Sequence, residues 1–550
     1  MKKITYTVLC ILLISALAGC KDTDDPATLP DLLYAEYNGM ITGIDGKLVT
    51  IDTGESFILP DSMTKQLNLY DIVTASTEYI SGTEKPYIIN SVTVHNGNPD
   101  ISSDFRKTET DFTYTSLQLG AAPSKGKVKV MFIPILWNDG VPFDKEFEDI
   151  IEKRFYDDSS IYTDSIHTYF MNASYNMLDL SYDIMAPYET CMSYSDWMTH
   201  VWSPSQNEIM TNAYKNALSA AGDISVYDSD GNGYADIVVF IENVESPSSA
   251  SYAYTMTKNE TALLSDSLLK MRKYAMCFYR NFIHVDDYRD NTVIHEMSHL
   301  FGIPDQYDYM GSESYISRFD LQEGGFGDWN AYSKYATGWI NPYVITPDVE
   351  KVTLRIGDSA EYPDAILLPP DNWNGTPFDE YLIIDVFAGR KNNEKPWEFY
   401  VFPDSENYNG GVRIMHVDAR QVYTDETFSK SKGWVDVENY DIDDSYLVQN
   451  AYSNSSTDIP DPSPERNAKY HFTELIPCSG DVTPDYMYNT AYLFSEGTRF
   501  SIYDYSHKFP NTYRLNHNGS VEYIVKIDSY DSTYAVATVT IEKITYERNN

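Results

Sequence analysis

Cysteine is nearly absent from this chain, with five in 550 residues. Cys10 and Cys20 fall within the first twenty positions, and the other three, Cys191, Cys277 and Cys478, are far apart. That number and spacing exclude a disulfide scaffold and a zinc-thiolate cluster, and allow at most one bridge. Positive charge is sparse too: 40 Lys and Arg stand against 82 Asp and Glu, a formal net charge of −42. The chain therefore has no basic footprint for nucleic acid, and no nucleic-acid partner is expected. The acidic residues are spread along the sequence, which describes a solvated exterior and a surface suited to calcium. Beyond the amino terminus no apolar run reaches the roughly 20 residues that a membrane-spanning helix needs.

What is present begins with a processing signal. Lys2 and Lys3 precede the short apolar run Val8 to Leu17, and Leu17-Ala18-Gly19-Cys20 has the form of a bacterial lipoprotein cleavage site. Residues 1–19 are expected to leave as the signal peptide, with Cys20 becoming the lipidated first residue. The chain would then lie outside the cytoplasm as an outer-membrane lipoprotein that meets the membrane only through that lipid. Lys21-Asp22-Thr23-Asp24-Asp25 resembles the acidic signals that carry some lipoproteins to the cell surface.

At about 150 residues per domain, the length implies several units. After a tether over 20–33, short β-branched runs alternate with turns across 34–96, as in Leu48-Val49-Thr50-Ile51, and predict a small β barrel or sandwich. Residues 97–120 are polar, open on Gly97-Asn98-Pro99, and read as a linker. A domain over 121–345 starts with the continuous apolar run Val128 to Leu136, the mark of a strand covered on both faces. Helical periodicity follows at Asp144 to Phe155, Ser160 to Ala173 and Gln206 to Ala221, with strands at Leu178 to Ile184 and Ile237 to Ile241. From 346 to 550 the pattern is mostly β and suggests a sandwich. The fold class is α+β.

Two stretches carry chemistry. In Asp228-Ser229-Asp230-Gly231-Asn232-Gly233-Tyr234-Ala235-Asp236, oxygen side chains stand at loop positions one, three, five and nine with glycine at six. This spacing lets Asp228, Asp230 and Asn232 converge on a hard cation, with the Tyr234 position contributing in register, and points to structural calcium. Val239 stands at position twelve, where a bidentate glutamate would close a standard loop, so Asp236 or another segment must do so.

The stronger signal is His295-Glu296-Met297-Ser298-His299-Leu300-Phe301-Gly302-Ile303-Pro304-Asp305. Two histidines four apart on a helix stack on one face and share a metal. Glu296, just off that face, is placed as the general base that takes a proton from the attacking water. Asp290 or Asn291 caps the helix, Ile294, Met297 and Phe301 form its buried stripe, and Gly302 stops it so that the chain turns. Asp305 then supplies a third ligand, with Asp308 as its rival, and the set His295, His299, Asp305 is suited to zinc with one position left open.

These residues resemble the M6, or immune-inhibitor-A-like, secreted metallopeptidases. The similarity extends over His295 to Asp308, His167 to Leu180, Gly327 to Ile340 and Gly410 to Asp418, roughly Val128 to Asp418 in all. It implies a metzincin-like catalytic domain, a mixed sheet carrying the active-site helix, flanked by the small β domain and the β-sandwich. It also implies zinc-dependent cleavage of protein or peptide substrates. One departure stands out. Such enzymes place a methionine on a turn beneath the metal, usually after Asp-Leu, whereas this chain reads Asp320-Leu321-Gln322. That methionine supports the site and is no ligand, so its replacement leaves the ligands intact while altering the floor. His416, with alternating apolar neighbours, reads as a structural strand histidine. The competing functional class is a surface lipoprotein of little or no catalytic power that uses the fold to bind host protein or glycan.

Overall fold

In a computed structural model the chain is a mixed α+β protein with several separate sheets. The structure describes residues 32–95, 102, 107–118, 120–198, 204–245, 253–257, 269–283, 291–308, 315–324, 327–396, 410–424, 431–435, 447–449, 471–480, 490–505, 507–509 and 513–544. The signal, most of the tether with Cys20, and Asp290 lie outside them. No helix among the described residues is long and apolar enough to cross a membrane. The chain divides into two compact units.

The first unit contains the N-terminal strands together with Val352–Ile356. Strands β1 (Leu32–Asp45), β2 (Leu48–Ile51), β3 (Ser56–Ile58), β4 (Ile72–Ile80) and β5 (Ser91–Val94) lie in the order β3-β2-β1-β4-β5. Gly46, at φ +57, makes the tight β1–β2 turn that a side chain would strain. Ile58 of the edge strand β3 bridges Ile88, in the link that leads into the opposite edge strand β5. Alternation puts Tyr37, Ile41, Val49, Ile51 and Phe57 inside.

The second unit is built on a sheet of β6 (Gly126–Leu136), β7 (Leu178–Ile184), β9 (Ile237–Glu242), β10 (Tyr254–Thr257) and β11 (Lys273–Phe278), with the short β8 (Tyr188–Glu189) also on β6. The order is β10-β11-β9-β6-β7; all pairs are parallel except β10, which runs antiparallel at the edge. Every residue of β9 and β11 is buried, as the uninterrupted apolar runs require of strands covered on both faces. Helices Lys145–Tyr156, Ile166–Ala173 and Pro204–Ala220 fill the connections. The second of these starts later than its sequence pattern suggests, because the Ser165 side chain caps the Thr168 N–H and fixes the first turn there.

The same unit continues through Gly357–Asn550. Strands Ile366–Leu368, Glu380–Phe387, Gly411–Asp418 and Thr473–Leu475 form one antiparallel ladder, and Arg499–Ser501, Tyr523–Asp531 and Val536–Lys543 another. A single hydrophobic core runs from Val130 and Ile237 through Val293 and Met297 to Tyr381 and Met415, so the C-terminal strands pack on the core that carries the helix of His295 and His299. Two buried cations cross this join: the Arg413 guanidinium, paired with Asp385, donates to the Phe319 carbonyl, and the Lys334 ammonium, paired with Asp328, donates to the Ser359 carbonyl. The polar segment 97–120 is more than a connector. Tyr114 and Leu117 are buried, and the Tyr114 hydroxyl lies 2.7 Å from that of Tyr332. Cys191, Cys277 and Cys478 are all free.

Candidate metal centre

Helix Thr292–Leu300 begins at Asn291, whose side chain makes no cap bond to it, and ends as Gly302 turns at φ +94. A side chain there would collide with Tyr114, its Cβ coming within 2.7 Å, so glycine is required by space as well as by conformation. Val293, Ile294, Met297 and Leu300 anchor one face of the helix in the core. The opposite face presents His295 and His299, their rings 4.9 Å apart and nearly perpendicular. The turn after Gly302 brings Asp305 back, so that its Oδ1 lies 3.0 Å from His295 Nε2 and 3.3 Å from His299 Nε2.

Those separations fit a metal. Two bonds of about 2.0–2.1 Å at a tetrahedral angle put donor atoms about 3.3 Å apart, and the three ligand atoms here all lie within 4.8 Å of one another. Two imidazoles and one carboxylate are a borderline-soft donor set, and such a set holds zinc with one position open. Asp308 is not part of this cluster.

The charges are tightly coupled. Burial alone would raise the Asp305 carboxyl, but His299 and His295 hold it well below the usual carboxylate range. Burial would lower His299, yet the Asp305 carboxylate beside it raises it to about 9. Glu296, on the position between the histidines, is buried, and desolvation raises its carboxyl despite the two neighbouring imidazoles. Thr255 on β10 supports it: its hydroxyl lies 2.7 Å from the Glu296 carbonyl and 3.1 Å from Glu296 Oε2. On the far side of the rings, His299 Nδ1 faces the Ile303 carbonyl at 2.6 Å and the Gln322 side chain at 3.2 Å, while His295 Nδ1 faces the Leu321 carbonyl at 3.5 Å.

The acidic loop gathers a second cluster. Carboxylate oxygens of Asp228, Asp230 and Asp236 lie within 4.8 Å of one another. Gly231 and Gly233 both take positive φ and allow the sharp turn. Backbone N–H groups hold the carboxylates in place: Asn232 N and Gly233 N donate to Asp228, and Ser229 N donates to Asp236. Asn232 uses its side-chain oxygen to accept from Tyr234 N, and the Tyr234 ring lies under the Lys270 ammonium. Burial raises Asp236 to about 6, with Asp230 and Asp228 adding like charge, and burial also raises Asp230. An all-oxygen, like-charged cluster suits a hard divalent cation.

His416 is buried on its strand and pairs with Glu380 at 2.8 Å, away from either cluster. Sequence reasoning passed over Thr255 altogether, because nothing in the short polar and aromatic run around it marks a hydroxyl aimed at a residue 41 positions away. No protein-family model matches the chain, and no curated protein matches it.

Proposed function

We propose that the chain is a zinc-dependent endopeptidase of the M6, metzincin-like kind, a lipoprotein that cleaves extracellular proteins outside the cytoplasm, with calcium in the Asp228–Asp236 loop as a structural ion. One observation carries the reading: two helical imidazoles and Asp305 converge at metal-ligand separations, with a buried carboxyl, Glu296, on the adjoining position. Zinc bound there would polarise the scissile carbonyl and make water a competent nucleophile at neutral pH.

The protein's own groups do the rest. His295, His299 and Asp305 fix the metal. Glu296 takes the proton of the attacking water and passes it to the leaving amine, a role favoured by a carboxyl whose pKa burial has raised from its usual value toward the working pH. Thr255 holds Glu296 in one rotamer. Strand β10 ends the sheet among the described strands, so an extended peptide added to that edge by main-chain hydrogen bonds would pass beside Glu296.

The test is zinc content together with casein or gelatin cleavage, for the wild type and for Glu296→Ala. The proposal expects about one zinc per chain in both proteins and chelator-sensitive cleavage by the wild type alone. Zinc without cleavage of any protein tested would move the chain to the binding-lipoprotein alternative. Equal cleavage by the variant would remove Glu296 from its role.

A further inference from the structure

We infer that Gln322 is a positioning residue for the metal: its side-chain oxygen shares with the Ile303 carbonyl the single Nδ1 hydrogen of His299 and so helps to fix that imidazole with its Nε2 lone pair toward Asp305 and the ion. The inference rests on the metal reading above and adds to it a residue that holds a ligand without touching the ion.

The tautomer of His299 is set by its neighbours. Its Nδ1 lies 2.6 Å from the Ile303 carbonyl, which can only accept, so Nδ1 carries the hydrogen and Nε2 is the metal-facing nitrogen. Gln322 also meets Nδ1, at 3.2 Å, with the amide nitrogen placed nearest. Two donors cannot bond to each other. The two ends of an amide are nearly identical in shape and are assigned from their hydrogen-bond network, so the end facing His299 is the oxygen. With the nitrogen toward His299 the other end, Oε1, is buried and makes no hydrogen bond, so that orientation leaves both ends of the amide unpaired.

Gln322 is fully buried, and burying an amide that is not fully hydrogen-bonded is costly. The surroundings hold it there firmly. Gln322 N donates to Asp320 Oδ1 at 2.7 Å, and Gln322 O accepts from Gln306 N at 3.0 Å. Asp320 takes Asn330 N with its second oxygen, Asn330 also binds Gln306, and Arg413 reaches the Phe319 carbonyl just before the turn. The carbonyl of Leu321, in the same turn, faces His295 Nδ1. One clamped turn therefore lies against the outer nitrogens of both histidine ligands. Partners of this kind fix the tautomer and ring orientation of a ligand, and their loss typically costs 10–100-fold in metal affinity.

The experiment measures zinc affinity by competition with a chromophoric chelator, and melting of the metal-free protein, for the wild type, Gln322→Met and Gln322→Glu. Methionine matches glutamine in length and removes the acceptor, so zinc should bind about 10–100-fold more weakly. The metal-free variant should melt at the same temperature or higher, because an unsatisfied amide has been replaced by an apolar group. A purely structural role would lower both together. Gln322→Glu keeps an acceptor oxygen facing Nδ1–H and should bind zinc as tightly as the wild type or more tightly. Wild-type affinity in Gln322→Met, or weaker binding by Gln322→Glu than by Gln322→Met, overturns the inference. If Gln322→Met does not fold, Gln322→Glu decides alone, since weaker zinc binding there than in the wild type contradicts an accepting oxygen. A wild type without zinc affinity would instead sink the metal reading itself.

Discussion

The helix cluster at His295, His299 and Asp305 and the loop cluster at Asp228, Asp230 and Asp236 each gather three side chains within the same 4.8 Å, but they are assembled in opposite ways. The helix cluster mixes signs: Asp305 pairs with two imidazoles, a packed helix sets their spacing, and Gln322 and Ile303 hold the outer face of His299. It is organised before any ion arrives. The loop cluster collects like charges held mainly by backbone N–H groups, with the Asn232 side-chain amide donating to Asp230, and burial together with the neighbouring carboxylates raises Asp236 to about 6. A cation there relieves repulsion, so it should contribute mainly to stability, whereas the ion at the helix should contribute mainly to chemistry.

The largest effect expected from this contrast is kinetic. Glu296→Gln should lower kcat by about 10²–10⁴-fold while zinc content stays at the wild-type level, as metal analysis beside a peptide-cleavage assay would read. A variant that loses its zinc as well would mean that Glu296 helps to build the site. Next comes the loop. Asp228→Ala should abolish the rise in melting temperature that calcium gives the wild type, worth about 2.7 kcal/mol when free calcium is about 100 times its Kd. Equal calcium shifts in both proteins would erase the distinction between the clusters.

Thr255→Val sharpens the kinetic side. Removing one hydrogen bond to a charged group should cost about tenfold in kcat, with KM and zinc content unchanged, and Thr255→Ser should restore the rate. A change in KM alone would make Thr255 a substrate contact.

The smallest effect is the pH dependence of the loop. Asp236 is raised from 3.8 to about 6 in the fold, so without a cation its contribution to stability is present at the acid end and is lost as pH rises through about 6. Calcium binds the ionised form and opposes that loss. The melting gap between calcium and chelator buffers should therefore widen from about pH 4.5 to about pH 7.5. A gap that is constant across that range contradicts the carboxylate assignment.

Much of this was legible in the sequence because local spacing encodes it. The interval of four between His295 and His299, the Gly302 turn and the Asp-Asn-Gly register of 228–236 are each decided within a dozen residues. What was hidden depends on chain brought from elsewhere. Thr255 reaches Glu296 only because β10 pairs with β11 beside the helix, and Gln322 reaches His299 only because Asp320 and Gln306 clamp its turn. Read alone, Gln322 was a replacement that alters the floor of the site, whereas its place 3.2 Å from His299 Nδ1 is what suggests a partner for the ligand. Tyr114 was concealed by its polar neighbours, although it fills the space beside Gly302. The late start of the helix at Ile166 depends on one capping serine that periodicity cannot detect.

The central claim is that His295, His299 and Asp305 hold one zinc. X-ray absorption at the zinc edge of the stoichiometrically loaded protein tests it most directly. The account predicts two imidazole nitrogens and oxygen donors at about 2.0–2.1 Å, with the imidazole signal and the tight binding both lost in His295→Ala/His299→Ala. An undiminished site in that double variant, or a sulfur-containing shell, would contradict it.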